Sequence, residues 1–138
     1  MKQLALSLFI CLLISCALTR NTKMDANMLN GTWLPVKQEI AGTPLPSAAF
    51  KNQKLVVLDN AYTVIAESTD KGLVKYKDDK MDIYGNEGVN AGKHFTAIYK
   101  LENEQLTICY NLAGDSYPEA FETKSKPVLF LSVFKKEL

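Results

Sequence analysis

An all-β domain closed into a small antiparallel barrel is the fold that this sequence predicts, and three observations predict it. Period-two runs of β-branched and aromatic residues recur eight times, the gaps between successive runs are short and rich in turn formers, and no long helical period competes with them. Eight short strands in up-and-down order leave two exposed edges unless the sheet closes on itself, so an eight-stranded barrel is expected, with a β-sandwich as the alternative. The chain of 138 residues, 47% hydrophobic, has material for one core of ordinary size and no more.

In chain order, the first segment stands apart from the fold. "MKQLALSLFICLLISC" opens with the basic Lys2 and continues as an apolar run from Leu4 to Ile14, the length of a secretory signal rather than of a spanning helix. Next comes the polar stretch 16–30, without sustained period, which reads as a tether closing with one helical turn at "MDANML". The barrel domain is therefore expected over 31–138. Its strands are predicted at Gly31 to Ile40, Lys54 to Leu58, Ala61 to Ser68, Gly72 to Tyr76, Lys80 to Tyr84, His94 to Leu101, Gln105 to Tyr110 and Val128 to Lys135. Hairpin turns are placed at Asp59-Asn60, at Thr69 to Gly72 and at Glu102-Asn103-Glu104, because Asn and Asp tolerate left-handed conformations. One short helix is expected after the first strand, in "PLPSAAFKNQ" from Pro44 to Gln53, with Pro46 near its start. Pro35 removes a ladder donor within the first strand, so a bulge or edge-like stretch is expected just after Trp33.

Sixteen basic residues nearly cancel fifteen acidic ones and neither sign forms a block, which gives no electrostatic footprint for nucleic acid. His94 is the sole histidine and stands at a strand start, where an exposed loop-side position is expected. No serine sits in a nucleophile-elbow pattern and no carboxylate pair stands out, so the chain is expected not to be an enzyme. The acids Asp78, Asp79, Asp82 and Glu87 lack calcium-loop spacing, and zinc would need a Cys and His cluster, so no metal and no cofactor is expected. Cys109 lies in an alternating run and is expected to be a packed thiol. The terminal "KKEL" resembles an endoplasmic-reticulum retention signal only loosely.

Two resemblances add to this reading. "LISC", Leu13 to Cys16, resembles the lipobox of bacterial lipoproteins, which implies lipidation of Cys16, loss of residues 1–15, and a location on the cell envelope; cleavage after Ala17 with plain secretion is the alternative. Loss of 1–15 removes Lys2 and no acid, so attraction to anionic lipid would not hold the protein and the acyl chains must. "NGTWLPVKQEIAGTPLP", "GKHFTAIYKLENEQLTIC", "YPEAF" and "LFLSVFKK" together resemble a family of small bacterial lipocalin-like domains whose members mostly lack an assigned activity.

In the wider lipocalin group the Gly-x-Trp tryptophan packs at the closed end beneath a basic residue of the last strand. The resemblance thus implies a structural closed end of Gly31 and Trp33 with Lys135 or Lys136, the lysine standing where arginine is common. It also implies a small hydrophobic or amphiphilic ligand inside the barrel. The inward-alternating Tyr62, Val64, Phe95, Tyr99 and Tyr110 are the candidate contacts, together with Phe121 from the irregular segment 112–127. The competing expectation is a barrel filled by its own side chains that works as a protein-interaction or inhibitor module through 112–127, with Tyr117 and Phe121 either a lid on the mouth or a partner surface.

Overall fold

The computed structural model describes residues 26–138; the expected signal 1–15, the lipidation candidate Cys16 and most of the tether lie outside the described residues. The strands are β1 (Gly31–Ile40), β2 (Thr43–Pro44), β3 (Lys54–Leu58), β4 (Ala61–Ile65), β5 (Thr69–Lys77), β6 (Lys80–Glu87), β7 (His94–Glu102), β8 (Gln105–Asn111) and β9 (Leu129–Lys136). They form one antiparallel sheet in which β1 pairs with both β3 and β9. β2 only extends the end of β1, through the two pairs Glu39 with Pro44 and Ile40 with Thr43, so the wall of the closed barrel has eight strands.

Turn chemistry sets the hairpins. Asp59, Asp78 and the Asn103-Glu104 pair adopt positive φ between 50° and 63° at the β3–β4, β5–β6 and β7–β8 connections, where such a twist matches that of the flanking strands. Two expectations fail locally. The turn placed at Thr69 to Gly72 lies earlier, at Ala66 to Ser68, where the Ala66 N–H donates to the Ser68 carbonyl. β4 accordingly ends at Ile65, and Thr69 and Asp70 belong to β5. The helix predicted over Pro44 to Gln53 shrinks to a single 3-10 turn, Ser47–Ala49, capped by Pro46 in an extended conformation. Two prolines without N–H groups leave too few donors in this segment to propagate a helix.

The bulge expected near Pro35 is present. β1 pairs with β9 from Trp33 opposite Lys136 to Ile40 opposite Phe130, and the register shifts between Pro35 and Lys37. With β3 it pairs only over Gly31 to Trp33, so the second half of β1 leaves β3 and the connection 41–53 occupies the gap.

In this order the β3–β4, β5–β6 and β7–β8 hairpins share one end of the barrel with the start of β1 and the end of β9. Trp33, 1% exposed, seals that end. Its indole Nε1–H donates to the Leu29 carbonyl at 2.7 Å, and the Lys136 ammonium lies 5.5 Å from the ring centroid. Lys135 points the other way, opposite Leu34 and exposed. Gly31 is required beneath them: its φ is +134°, and a Cβ there would stand 2.6 Å from Lys136 Cε. The 3-10 turn Ala26–Leu29 precedes β1, and Leu29 is fully buried in the core. The tether expected over 16–30 therefore gives way to folded chain before Gly31.

Trp33→Ala removes the indole from this seal together with its bond to Leu29. It is expected to cost about 3–5 kcal/mol of stability, read as a lowered thermal midpoint; an unchanged midpoint would contradict the closed-end assignment.

Candidate ligand cavity and outer strap

Strand alternation gives the barrel an inside and an outside. The inward positions are mostly medium-sized apolar residues, among them Leu55, Val57, Val74, Met81, Ile83 and Ile108. Eight strands enclose a lumen that such side chains do not fill. A cavity of about 580 Å³ results. Leu29, Leu106 and Phe134 line it towards the closed end, and Asn90, Lys93 and Leu112 line it at the opposite end, where the last two are exposed. The lumen thus opens away from Trp33. Gly72 widens it locally: a Cβ there would lie 2.6 Å from Tyr62 Cε1 and 2.0 Å from the Tyr84 carbonyl oxygen, so only glycine lets the Tyr62 ring lie across β5.

Of the residues expected to meet a ligand, Tyr62, Val64, Phe95 and Tyr110 line the cavity. Tyr99 and Phe121 do not. Tyr99 is 1% exposed and its hydroxyl donates to the Asp78 carbonyl at 3.0 Å, so the ring fills the space above the β5–β6 hairpin, edge-on to Tyr76 at 5.8 Å between centroids. Among the cavity residues that the sequence did not single out, four with polar groups bear on the chemistry of the lumen. Tyr76 is a strand residue of the right parity. Gln38, carried inward by the bulge, donates to Gln53 Oε1 at 2.9 Å and to Ser132 Oγ at 3.4 Å. Gln53 in turn donates to the Ala49 carbonyl at 3.2 Å, which fastens the connection 41–53 to the lumen. Asp70, read as a turn residue, is an inward strand residue whose Oδ1 accepts the Asn90 N–H at 3.0 Å.

Burial governs the chemistry of the lumen. Desolvation pushes Tyr76 up to about 12, with a further contribution from Tyr99. It also pushes Tyr62 up, aided by the Asp70 carboxylate, and Tyr110 well above the ordinary range. All three hydroxyls hold their protons at physiological pH. Among the described residues no group of three or more His, Cys, Asp or Glu side chains is placed to hold a metal ion.

Phe121 lies on the other side of the wall. Apart from Leu112 at the rim, segment 112–127 neither lids the mouth nor projects as a free loop. It runs as a strap over the outer face of β7–β9, where Tyr117 and Phe121 pack on Ile98, Cys109, Leu129 and Leu131. Lysines of the wall stand over both rings, Lys80 at 5.1 Å from the Tyr117 centroid and Lys100 at 4.8 Å from that of Phe121. Polar bonds fix the strap at several points. Thr96 Oγ1 donates to the Ser116 carbonyl, Asn111 Nδ2 donates to Asp115 Oδ1 at 2.8 Å, and Thr123 Oγ1 donates to Glu39 while accepting the Gly42 N–H. Cys109 is fully buried beneath it, and burial pushes its thiol up, away from nucleophilic reactivity.

At the strap's centre the Tyr117 hydroxyl donates to Asp82 Oδ2, and Asp82 Oδ1 pairs with His94 Nε2 at 2.8 Å. His94 is thus a half-buried strand residue stacked on Tyr84, 4.8 Å between centroids, and not the loop-side residue expected. The Tyr117 bond, then His94 and Lys75, holds the Asp82 carboxyl below its ordinary value.

The comparisons agree with the fold and stop there. No protein-family model matches the chain, and no curated protein matches it. A crystal structure of an uncharacterized protein from Bacteroides eggerthii is similar in fold, with a TM-score of 0.53 at 12% identity, over 79% of this chain and 99% of that one.

The lowered Asp82 value sets the sign of a pH effect. Its contribution to holding the strap is complete above the ordinary aspartate value near 4 and is lost as pH falls through the lower folded value. Tyr117 and Phe121 ring signals are expected to sharpen towards free-ring values in acid below about pH 4, and Asp82→Asn is expected to loosen the strap at neutral pH. A variant strap as ordered as the parent's would refute this.

Proposed function

We propose that this chain is a lipid-anchored protein of the bacterial cell envelope, without enzymatic activity, that holds a small hydrophobic or amphiphilic molecule in its barrel. The cavity of about 580 Å³ carries the reading. An eight-stranded barrel is either packed by its own side chains or has room for one small ligand, and this volume falls within the range of small-molecule sites, roughly 300–1,000 Å³. Its Leu, Val, Ile and Phe lining favours an apolar guest over water. The anchoring part rests on "LISC" at the end of the apolar N-terminal run.

The mature chain is expected to take up a polarity-sensitive lipophilic dye with enhanced, blue-shifted emission, and Ile83→Trp, which fills the lumen, to lower that uptake at least tenfold while the protein still melts cooperatively. Equal uptake by the folded variant would defeat the ligand reading. Anchoring has a separate check in Cys16→Ser, expected to abolish acyl incorporation and shift the protein from the membrane to the soluble fraction; membrane retention of the variant would defeat it.

A further inference from the structure

The six tyrosines of the chain divide sharply by the use made of their hydroxyls. Tyr99 and Tyr117 donate to protein oxygens, and Tyr84 is exposed on the outer wall. Tyr62, Tyr76 and Tyr110 instead line the cavity, and their hydroxyls make no hydrogen bond with any described residue. No polar side-chain atom among the described residues is both sealed from open space and unpaired, so these three hydroxyls border the free volume of the lumen. All three share one mainly apolar chamber, and Tyr62 and Tyr76 both oppose ionisation of Tyr110. A buried donor left unsatisfied is costly, so such an arrangement favours a guest that supplies an acceptor.

Resting on the reading that the cavity holds a ligand, we propose that the hydroxyls of Tyr62, Tyr76 and Tyr110 are its recognition element. The ligand they select is a neutral, largely apolar molecule bearing a hydrogen-bond acceptor such as a ketone or ester carbonyl.

The lumen's other polar groups fit a neutral guest. Asp70 Oδ1 is engaged by the Asn90 N–H and Gln53 Oε1 by Gln38, whereas the three tyrosine hydroxyls are neutral donors without a partner among the described residues. The charges of the lining balance: Lys54 Nζ is drawn 2.8 Å from Glu137, and the Asp70 carboxylate is matched by the ammonium of Lys93, which has no acid partner among the described residues, so a guest of neither sign finds a surplus of opposite charge. Burying a charge without a partner is far more costly than burying a hydrogen-bonded carbonyl.

Displacement of the lipophilic dye from the mature chain by 2-nonanone, nonane, nonanoate and nonylamine tests this. The ketone is expected to bind about five- to tenfold more tightly than the alkane and ahead of both charged compounds. Tyr62→Phe, Tyr76→Phe and Tyr110→Phe, which keep the rings, are expected each to weaken the ketone and to leave the alkane unchanged. The carbonyl stretch of bound 2-nonanone, which needs no variant, is expected at lower wavenumber than in hydrocarbon solution. A ketone-to-alkane ratio near one, a ratio unmoved in the triple Phe variant, an unshifted carbonyl band, or preference for the carboxylate or amine would each overturn the inference while leaving the cavity reading intact. Dye uptake insensitive to all four compounds and to Ile83→Trp would sink both.

Discussion

The molecule depends on one ladder, the pairing of β1 with β9. Without it the sheet has two open edges; with it the wall closes, and the first and last strands meet where Trp33 stands opposite Lys136. Closure also explains the bulge near Pro35. Strand β1 must pair with β3 through Trp33 and then follow β9 alone, and a residue without an N–H sits where the change of partner occurs. The same bulge turns Gln38 inward, so a device that serves closure also supplies a polar group to the lumen.

Closing one end by a large aromatic frees the other. Trp33 donates its indole N–H to the Leu29 carbonyl and lies against the Lys136 ammonium, so the seal is complete without any residue of the opposite rim. The barrel can then leave its centre unfilled, because stability is drawn from two other sources: the seal itself and the strap outside. The outer face of β7–β9 is covered by 112–127 and forms a second, smaller core around Ile98, Cys109, Leu129 and Leu131. These strands bury residues on both faces, which offsets contacts the lumen does not make.

Much of the fold was legible because alternation and turn chemistry act locally. The eight strands, the Asp59-Asn60 and Asn103-Glu104 turns and the Pro35 bulge follow from residues within a few positions of each other. What the sequence concealed depends on distant contacts. Asp70 has the composition of a turn and the position of a strand, settled by a bond from Asn90 twenty residues away. The Pro44 to Gln53 helix failed because its prolines leave it shorter than a helix can propagate. Phe121 is expected either on a lid or on a partner surface, yet one signal points elsewhere: "FTAIY", "LTICY" and "LFLSVF" are apolar on both faces, which requires a cover outside the barrel as well as a core within. Tyr99 had the parity of a cavity residue, but parity fixes the side of the wall and not the height along the axis.

The proposed guest sits inside the wall and not on it. Methyl-resolved NMR of the mature chain, titrated with 2-nonanone, measures this directly. Val57, Val74, Ile83 and Ile108 line the lumen, whereas Ile98 and Leu131 lie under the strap on the outer face. Saturable shifts confined to the inward methyls are the predicted result; shifts at Ile98 and Leu131 with the inward methyls unmoved would contradict it.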